Sequence, residues 1–308
     1  MGVVIGSIFG IVAILFAGAV YLFQFAVYRT PFRLGRKKAR MELHSRIREG
    51  MDWFHAQHKE LLLEKSHDGL TLAADLLPAS EEECRGVLIL MHGFRGSAAH
   101  DFSCAVRLYH ELGFHLILPH QRAHGKSEGR YICYGVKERY DCKMWVEYAG
   151  KRFGNDVPVF LDGISMGAAT VLMAAGLHLP ANVRGIIADC GFTSPWDIFK
   201  VVMKKWFGLP AFPLLYLTDG LSRLVAGFGF REYSTQEALK NCRLPVLFVH
   251  GTEDELVPCW MSEANYEACQ GPKELVKVEG AGHGYSFLVD EERCKKALVH
   301  FFEQYGAQ

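Results

Sequence analysis

The chain has 308 residues, 50% of them hydrophobic, which is enough to bury a large core and excludes disorder as its overall state. Lys and Arg (34) balance Asp and Glu (34), so the charge gives no basis for nucleic acid as a partner and leaves specificity to a local site. The cysteines (Cys84, Cys104, Cys133, Cys142, Cys190, Cys242, Cys259, Cys269 and Cys294) are odd in number and never spaced C-x-x-C. They read as reduced thiols, not as a disulfide framework or a metal centre.

Residues 3–27 carry no charged side chain. As a helix this run would be about 37 Å long against a hydrocarbon core of about 30 Å, so residues 1–28 are expected to form one transmembrane anchor. A cleaved signal peptide and a buried core helix are the competing readings. Ala17-Gly18-Ala19 faintly permits cleavage, but the run has no basic leading region and stays apolar well past that point. N-myristoylation fails, because Gly6 stands where the motif needs Ser or Thr.

Arg29, Arg33, Arg36, Lys37, Lys38 and Arg40 follow at once. The positive-inside tendency then places the rest of the chain in the cytoplasm, the compartment that reduced thiols also favour. A basic cluster at that position would also meet anionic headgroups. Residues 29–60 are read as this basic segment and a linker helix, the mixed-charge stretch at about 41–59 supplying the helix.

From residue 61 the pattern changes. Two apolar runs flank Ser66-His67-Asp68-Gly69, and Asp-Gly between such runs predicts a hairpin. Short apolar strands at 87–91, 115–119, 158–162, 185–189, 245–250 and 274–278 then alternate with helical patterns. Continuous apolar strands separated by helices predict an α/β fold with a mostly parallel sheet covered on both faces. Residues 194–239 break the rhythm with Trp206-Phe207-Gly208-Leu209-Pro210-Ala211-Phe212-Pro213, which reads as a small helical cap over the sheet's carboxyl edge. Two ordinary core-packing helices are the plainer alternative.

Sites in open α/β sheets assemble at the carboxyl ends of strands, and three such ends carry unusual turns. Gly163-Ile164-Ser165-Met166-Gly167 stands between a strand and a small-residue helix. Glycines on either side permit a sharp turn that projects Ser165 from the sheet as a nucleophile. The strand at 246–250 ends in Glu253-Asp254-Glu255. A triad needs one acid there to hold a histidine in the right tautomer, and Asp254 is the expected one, with Glu253 and Glu255 as solvated neighbours. The last strand is followed by Gly280-Ala281-Gly282-His283-Gly284. Of the His-Gly pairs at His92, His124, His250 and His283, only the last completes the chain order Ser…Asp…His, so His283 is the expected base.

Developing negative charge needs donors, and the backbone N–H groups of Phe94 and Met166 are the expected oxyanion hole. The Phe94 side chain, with Phe207 and Phe212 of the cap, is expected to bind substrate. His92 is read as a structural residue of its loop. His120 and His124 have an i, i+4 metal-pair spacing but follow a strand and lack the glutamate of a zinc-protease helix. No metal and no cofactor are expected.

Taken together, these motifs resemble the α/β-hydrolase superfamily over residues 61–308. The stretch Gln121-Arg122-Ala123-His124-Gly125-Lys126-Ser127-Glu128-Gly129, with Gly135-Val136-Lys137-Glu138-Arg139-Tyr140-Asp141 soon after, is similar to a bacterial, often membrane-anchored branch related to serine aminopeptidase-like and acylglycerol-lipase-like hydrolases. Many relatives begin that loop Asp-x-Arg, where this chain has His120. The resemblance implies hydrolysis of an ester, thioester or amide without fixing which. The leading expectation is a membrane-anchored serine hydrolase that cleaves a carboxylic ester through an acyl-enzyme. Its substrate would be a small or lipid-like acyl compound. A peptidase or thioesterase on the same residues is the nearest alternative, and a noncatalytic binding protein on the scaffold a more distant one.

Overall fold

Side chains alternate along a strand, so a strand that is apolar throughout must lie between two cores. The computed structural model describes residues 2–29, 41–79 and 84–306. Of the basic cluster only Arg29 falls among them; Arg33, Arg36, Lys37, Lys38 and Arg40 lie outside the described residues.

Helices α1 (Gly2–Ala26) and α2 (Met41–Ala56) precede the hairpin β1 (Glu60–Lys65) and β2 (Thr71–Leu77). Next come β3 (Gly86–Met91), α3 (Ala98–Asp101), α4 (Val106–Glu111), β4 (Phe114–His120), α5 (Glu138–Phe153) and β5 (Val159–Ile164). Helix α6 (Met166–Ala174) leads to β6 (Val183–Asp189), after which α7 (Pro195–Phe207), α8 (Leu214–Leu221), a π turn (Ser222–Ala226) and α9 (Thr235–Leu239) interrupt the alternation. The chain closes with β7 (Val246–Gly251), α10 (Trp260–Ala268), β8 (Lys273–Val278), α11 (Ser286–Val289) and α12 (Glu291–Gly306).

The eight strands form one sheet in the order β1-β2-β4-β3-β5-β6-β7-β8. Pairs β1/β2 and β2/β4 are antiparallel and the remaining pairs parallel. The hairpin turns where Asp-Gly predicted it, with Gly69 at φ 87° and the Ser66 hydroxyl accepting from Leu70 N–H at 2.9 Å. Period-two alternation divides β3 cleanly. Val87, Ile89 and Met91 enter one core with Trp145 of α5 and Leu172 of α6, whereas Leu88 and Leu90 enter the other with Tyr109, Phe301 and Phe302.

A third apolar cluster lies over the carboxyl edge and joins cap residues Phe199, Met203, Leu215, Phe228 and Phe230 to Phe23 and Val27 at the end of α1. Helix α7 begins where its sequence dictates. Ser194 accepts a capping bond from Asp197 N–H, Pro195 fills the first turn, and Gly208 at φ 65° ends the helix in the left-handed region. The amino-terminal half of α1 leaves this cluster, and Phe9, Ile11, Ile14 and Phe16 project from it uncovered. By length and composition α1 could be a membrane span or a signal sequence.

Candidate active site

Ser165 sits between β5 and α6 with φ 58° and ψ −113°, a backbone conformation that a residue with a side chain rarely adopts. Its glycine neighbours serve close approach more than turning. A Cβ on Gly167 would stand 1.8 Å from Met91 O, and one on Gly163 2.3 Å from the Gly167 backbone. Both glycines therefore let α6 lie directly against β5 and the end of β3. Arg95, Ala123, Tyr134 and Cys190 also have positive φ. Arg95 and Ala123 fall in loops beyond the carboxyl ends of β3 and β4, and Cys190 directly follows β6.

The fold brings the three residues nominated from chain order into one hydrogen-bonded line. Ser165 Oγ lies 2.9 Å from His283 Nε2, and His283 Nδ1 lies 2.7 Å from Asp254 Oδ2. With Nδ1–H donating to the carboxylate, Nε2 is left unprotonated to accept the serine proton. The other carboxylate oxygen, Asp254 Oδ1, accepts from Leu256 and Val257 N–H, each at 2.8 Å. Burial pushes the Asp254 carboxyl up, but the charge of His283 and the hydrogen bonds of His250 and His283 outweigh it and hold the group well below the ordinary carboxylate range. Asp254 is thus an anion across the working pH range. Glu253 and Glu255 do not join this line.

His250, set aside in the sequence because it precedes the acid, braces that acid. Its Nε2 lies 2.9 Å from Val257 O and 3.3 Å from Asp254 Oδ2, while Nδ1 lies 2.6 Å from the Ser262 hydroxyl. The carbonyl only accepts, so Nε2 carries the proton and the serine hydroxyl donates to Nδ1.

The loop after β3 packs on the nucleophile, with Gly93 so placed that a Cβ would be 3.4 Å from Ser165 Cβ. Gly93 N–H donates to Asp101 Oδ2 at 2.8 Å, and Arg95 N–H to His124 Nε2 at 3.0 Å. Between them the N–H of Phe94 makes no hydrogen bond to an acceptor among the described residues, and the same holds for Met166 N–H at the start of α6. His92 holds the same loop, its Nδ1 donating to Gly93 O at 2.8 Å and its Nε2 accepting from Gln121 N–H at 3.2 Å. Burial lowers the basicity of His92, and pushes His124 down to about 3, so both rings stay neutral. His120 faces Asp75, 3.4 Å away, whereas both ring nitrogens of His124 are engaged, by Arg95 N–H and Arg122 O.

Two carboxyls lie beneath the edge. Asp162 on β5 accepts from the Tyr109 hydroxyl at 2.6 Å, and burial pushes its pKa up to about 7. Asp189 on β6 lies 3.2 Å from the Ser286 hydroxyl and is raised by burial to about 6. Cys190 follows it, and its donor atom lies within 4.8 Å of those of Asp254 and His283. Burial first, then Asp189, pushes that thiol well above its ordinary value.

Ser165 opens into a cavity of about 100 Å³ with an almost wholly apolar wall. Phe94 and Phe207 line it. Phe212, expected beside them, does not: it is 70% exposed and packs its ring on Tyr216. The cause is local, because Gly208 ends α7 directly after Phe207 and the loop that follows leaves the wall. Sequence reasoning missed His250, Asp101 and the part of α1 that faces this cavity.

A family model described as the alpha/beta hydrolase fold matches residues 86–212, and one described as serine hydrolase (FSH1) matches residues 221–284. The chain is 28% identical to the uncharacterized protein YqkD of Bacillus subtilis over 216 residues, 70% of either chain. It is 26% identical to alpha/beta hydrolase domain-containing protein WAV2 of Arabidopsis thaliana, covering 79% of this chain and 78% of that one. The fold superposes on the esterase Pf2001 of Pyrococcus furiosus with a TM-score of 0.67 at 18% identity, over 92% of this chain and all of the other. The chain belongs to the α/β-hydrolase superfamily. Its likenesses support hydrolytic activity, and ester hydrolysis in general.

Proposed function

We propose that the chain is a serine hydrolase that cleaves a carboxylic acyl ester through an acyl-enzyme, with Ser165 as nucleophile, His283 as general base and acid, and Asp254 as the orienting anion. The observation that carries this reading is the continuous line Asp254–His283–Ser165 opening into an apolar cavity. His283 removes the hydroxyl proton as Ser165 Oγ attacks the acyl carbon, then returns it to the leaving alcohol. The tetrahedral oxyanion takes the two unused N–H groups of Phe94 and Met166, each donor of this kind lowering the barrier by about 2.7 to 4 kcal/mol. Water then repeats the attack on the acyl-enzyme with the same base. An apolar wall favours an apolar acyl group over a charged or peptidic one, which is why the ester reading leads the peptidase reading.

The localisation that fits is a single-pass membrane protein with α1 as the span and the hydrolase domain in the cytoplasm. Its support is the uncharged run and the basic residues that follow it. Protease added outside sealed vesicles of known orientation should leave the domain intact; digestion from that side would reverse the orientation. The enzymatic reading is tested on the full chain with ester, thioester and aminoacyl substrates and a fluorophosphonate label, Ser165→Ala as control. Labelling and ester turnover that both vanish in the control support it. Equal turnover in the control sinks it.

A further inference from the structure

The cavity above Ser165 is closed on one side by the apolar helix. Leu22, Phe25 and Ala26 of α1 share its wall with Phe207 and Leu215 of the cap. Polar bonds hold that contact in place. The last carbonyls of a helix lack intrahelical donors; those of Phe25 and Ala26 are supplied from the hydrolase domain, by the Arg95 guanidinium and by the Tyr134 hydroxyl, the latter at 2.8 Å. Arg95 adjoins Phe94, whose ring stacks on Tyr134 with centroids 5.2 Å apart. Just past the helix, Ile132 N–H donates to Val27 O at 2.8 Å, and the Arg29 guanidinium reaches Gly125 O and Ser127 O, each at 2.8 Å. The end of α1 is therefore fastened to the loop that carries an oxyanion donor.

Distance along α1 then says where the cap lies. Gly18 meets Leu214 of α8 so closely that a Cβ would stand 3.1 Å from the leucine side chain. At 1.5 Å per residue, Gly18 is about 12 Å back along the helix axis from Ala26. A helix that crosses a bilayer would hold α8 at that depth too, and α8 exposes Tyr216 and Leu217, with Phe212 just before it. The cap therefore adds uncovered apolar side chains to those of α1, and the cavity is lined from both.

Resting on the serine-hydrolase and membrane-span reading above, we propose that the substrate is a long-chain acyl ester dissolved in the bilayer. Its chain leaves the leaflet along α1 and enters the cavity against Leu22, Phe25 and Ala26. On this account α1 selects the acyl chain as well as tethering the enzyme.

The test uses the full chain in phosphatidylcholine nanodiscs, with p-nitrophenyl acetate and p-nitrophenyl dodecanoate as substrates. Leu22→Trp fills the wall and should lower the dodecanoyl-to-acetyl ratio of kcat/KM about tenfold or more, while Leu22→Ala should move the preference toward longer chains. Tyr21→Ala, one residue away on the exposed face, should leave the ratio within about twofold of wild type. Ala26→Ile repeats the first change with a smaller side chain should the tryptophan prevent folding. A labelled, active enzyme whose ratio is the same in Leu22→Trp, Ala26→Ile and Tyr21→Ala overturns the inference and leaves the hydrolase reading standing. Wild-type protein that neither takes a fluorophosphonate nor turns over acetate overturns both.

Discussion

At the carboxyl edge of the sheet, directional bonds fix every group that would react. Asp254 takes two backbone N–H groups and the His283 ring, with His250 close behind, and Asp101 and His92 pin the loop that bears Phe94. The cap is held differently. Its wall of Phe199, Met203, Phe207 and Leu215 faces Leu22, Phe25 and Ala26 of α1 across the cavity with apolar side chains, and the polar bonds to α1 come from Arg95 and Tyr134 instead. Directional bonds tolerate little displacement, because a misplaced donor is a lost donor. Apolar walls tolerate much more, since a changed side chain alters cavity volume and leaves the reacting atoms where they were. The two regions should therefore fail in different ways when altered, the edge losing rate for every substrate and the cap altering only which substrate is favoured.

The largest expected effects test the edge. Ser165→Ala or His283→Ala should cost about 10⁶-fold in kcat and Asp254→Asn about 10⁴-fold, the scale of serine-protease triads, with acetyl and long-chain esters falling alike. Single-turnover kinetics on the two ester lengths reads this directly. Loss confined to one chain length would erase the distinction between the regions.

A smaller effect concerns the floor beneath the edge. The Asp162 carboxyl is raised from 3.8 to about 7 by burial. A carboxyl raised by folding contributes stability that is full below its unfolded value and is lost as the pH rises through the folded one. Asp162→Asn keeps an acceptor for the Tyr109 hydroxyl and removes the titration. The variant should therefore gain stability relative to wild type as pH goes from about 4 to about 7, by up to about 4 kcal/mol at 1.36 kcal/mol per unit. Denaturant midpoints across that range measure it. A constant difference would mean that Asp162 is already ionised in the folded protein at the low end of that range.

The same contrast governs what could be read from the sequence. Edge chemistry is local. A strand, a glycine-flanked serine and a helix occupy a few consecutive residues, and the order of the three strand ends leads to the residues that the fold joins by hydrogen bonds. The reason for the glycines was only partly legible, because the approach of Gly167 to Met91 O depends on a strand far away in sequence. His250 and Asp101 escaped because bracing has no motif; each is recognisable only from the atom it meets. Cap residues carry still less local information. Trp206 to Pro213 is evenly apolar, and nothing in it tells Phe207, which faces the cavity, from Phe212, which faces outward. Likewise an apolar helix shows no mark at Leu22 or Ala26 that separates a wall of the site from a lipid-facing turn.

The smallest expected effect turns that last contrast into a measurement. Phe207 lies at the end of α7, 39% exposed, and lines the cavity, whereas Phe212 stands in the following loop, 70% exposed, with the Tyr216 ring edge-on to its own. Each methylene that a substrate buries adds about 0.8 kcal/mol, so replacing a wall phenyl by a hydroxyl removes apolar surface that only the longer chains reach. Phe207→Ser should therefore reduce the rise of kcat/KM with acyl length by about tenfold between acetyl and dodecanoyl. Phe212→Ser should leave that rise intact and instead weaken retention of the cap at a lipid surface, read as reduced quenching of Trp206 fluorescence by lipid-borne quenchers in nanodiscs. If Phe212→Ser alters chain-length preference as much as Phe207→Ser does, the loop folds back over the site during turnover, and the division between an edge that reacts and a cap that selects must be extended to include it.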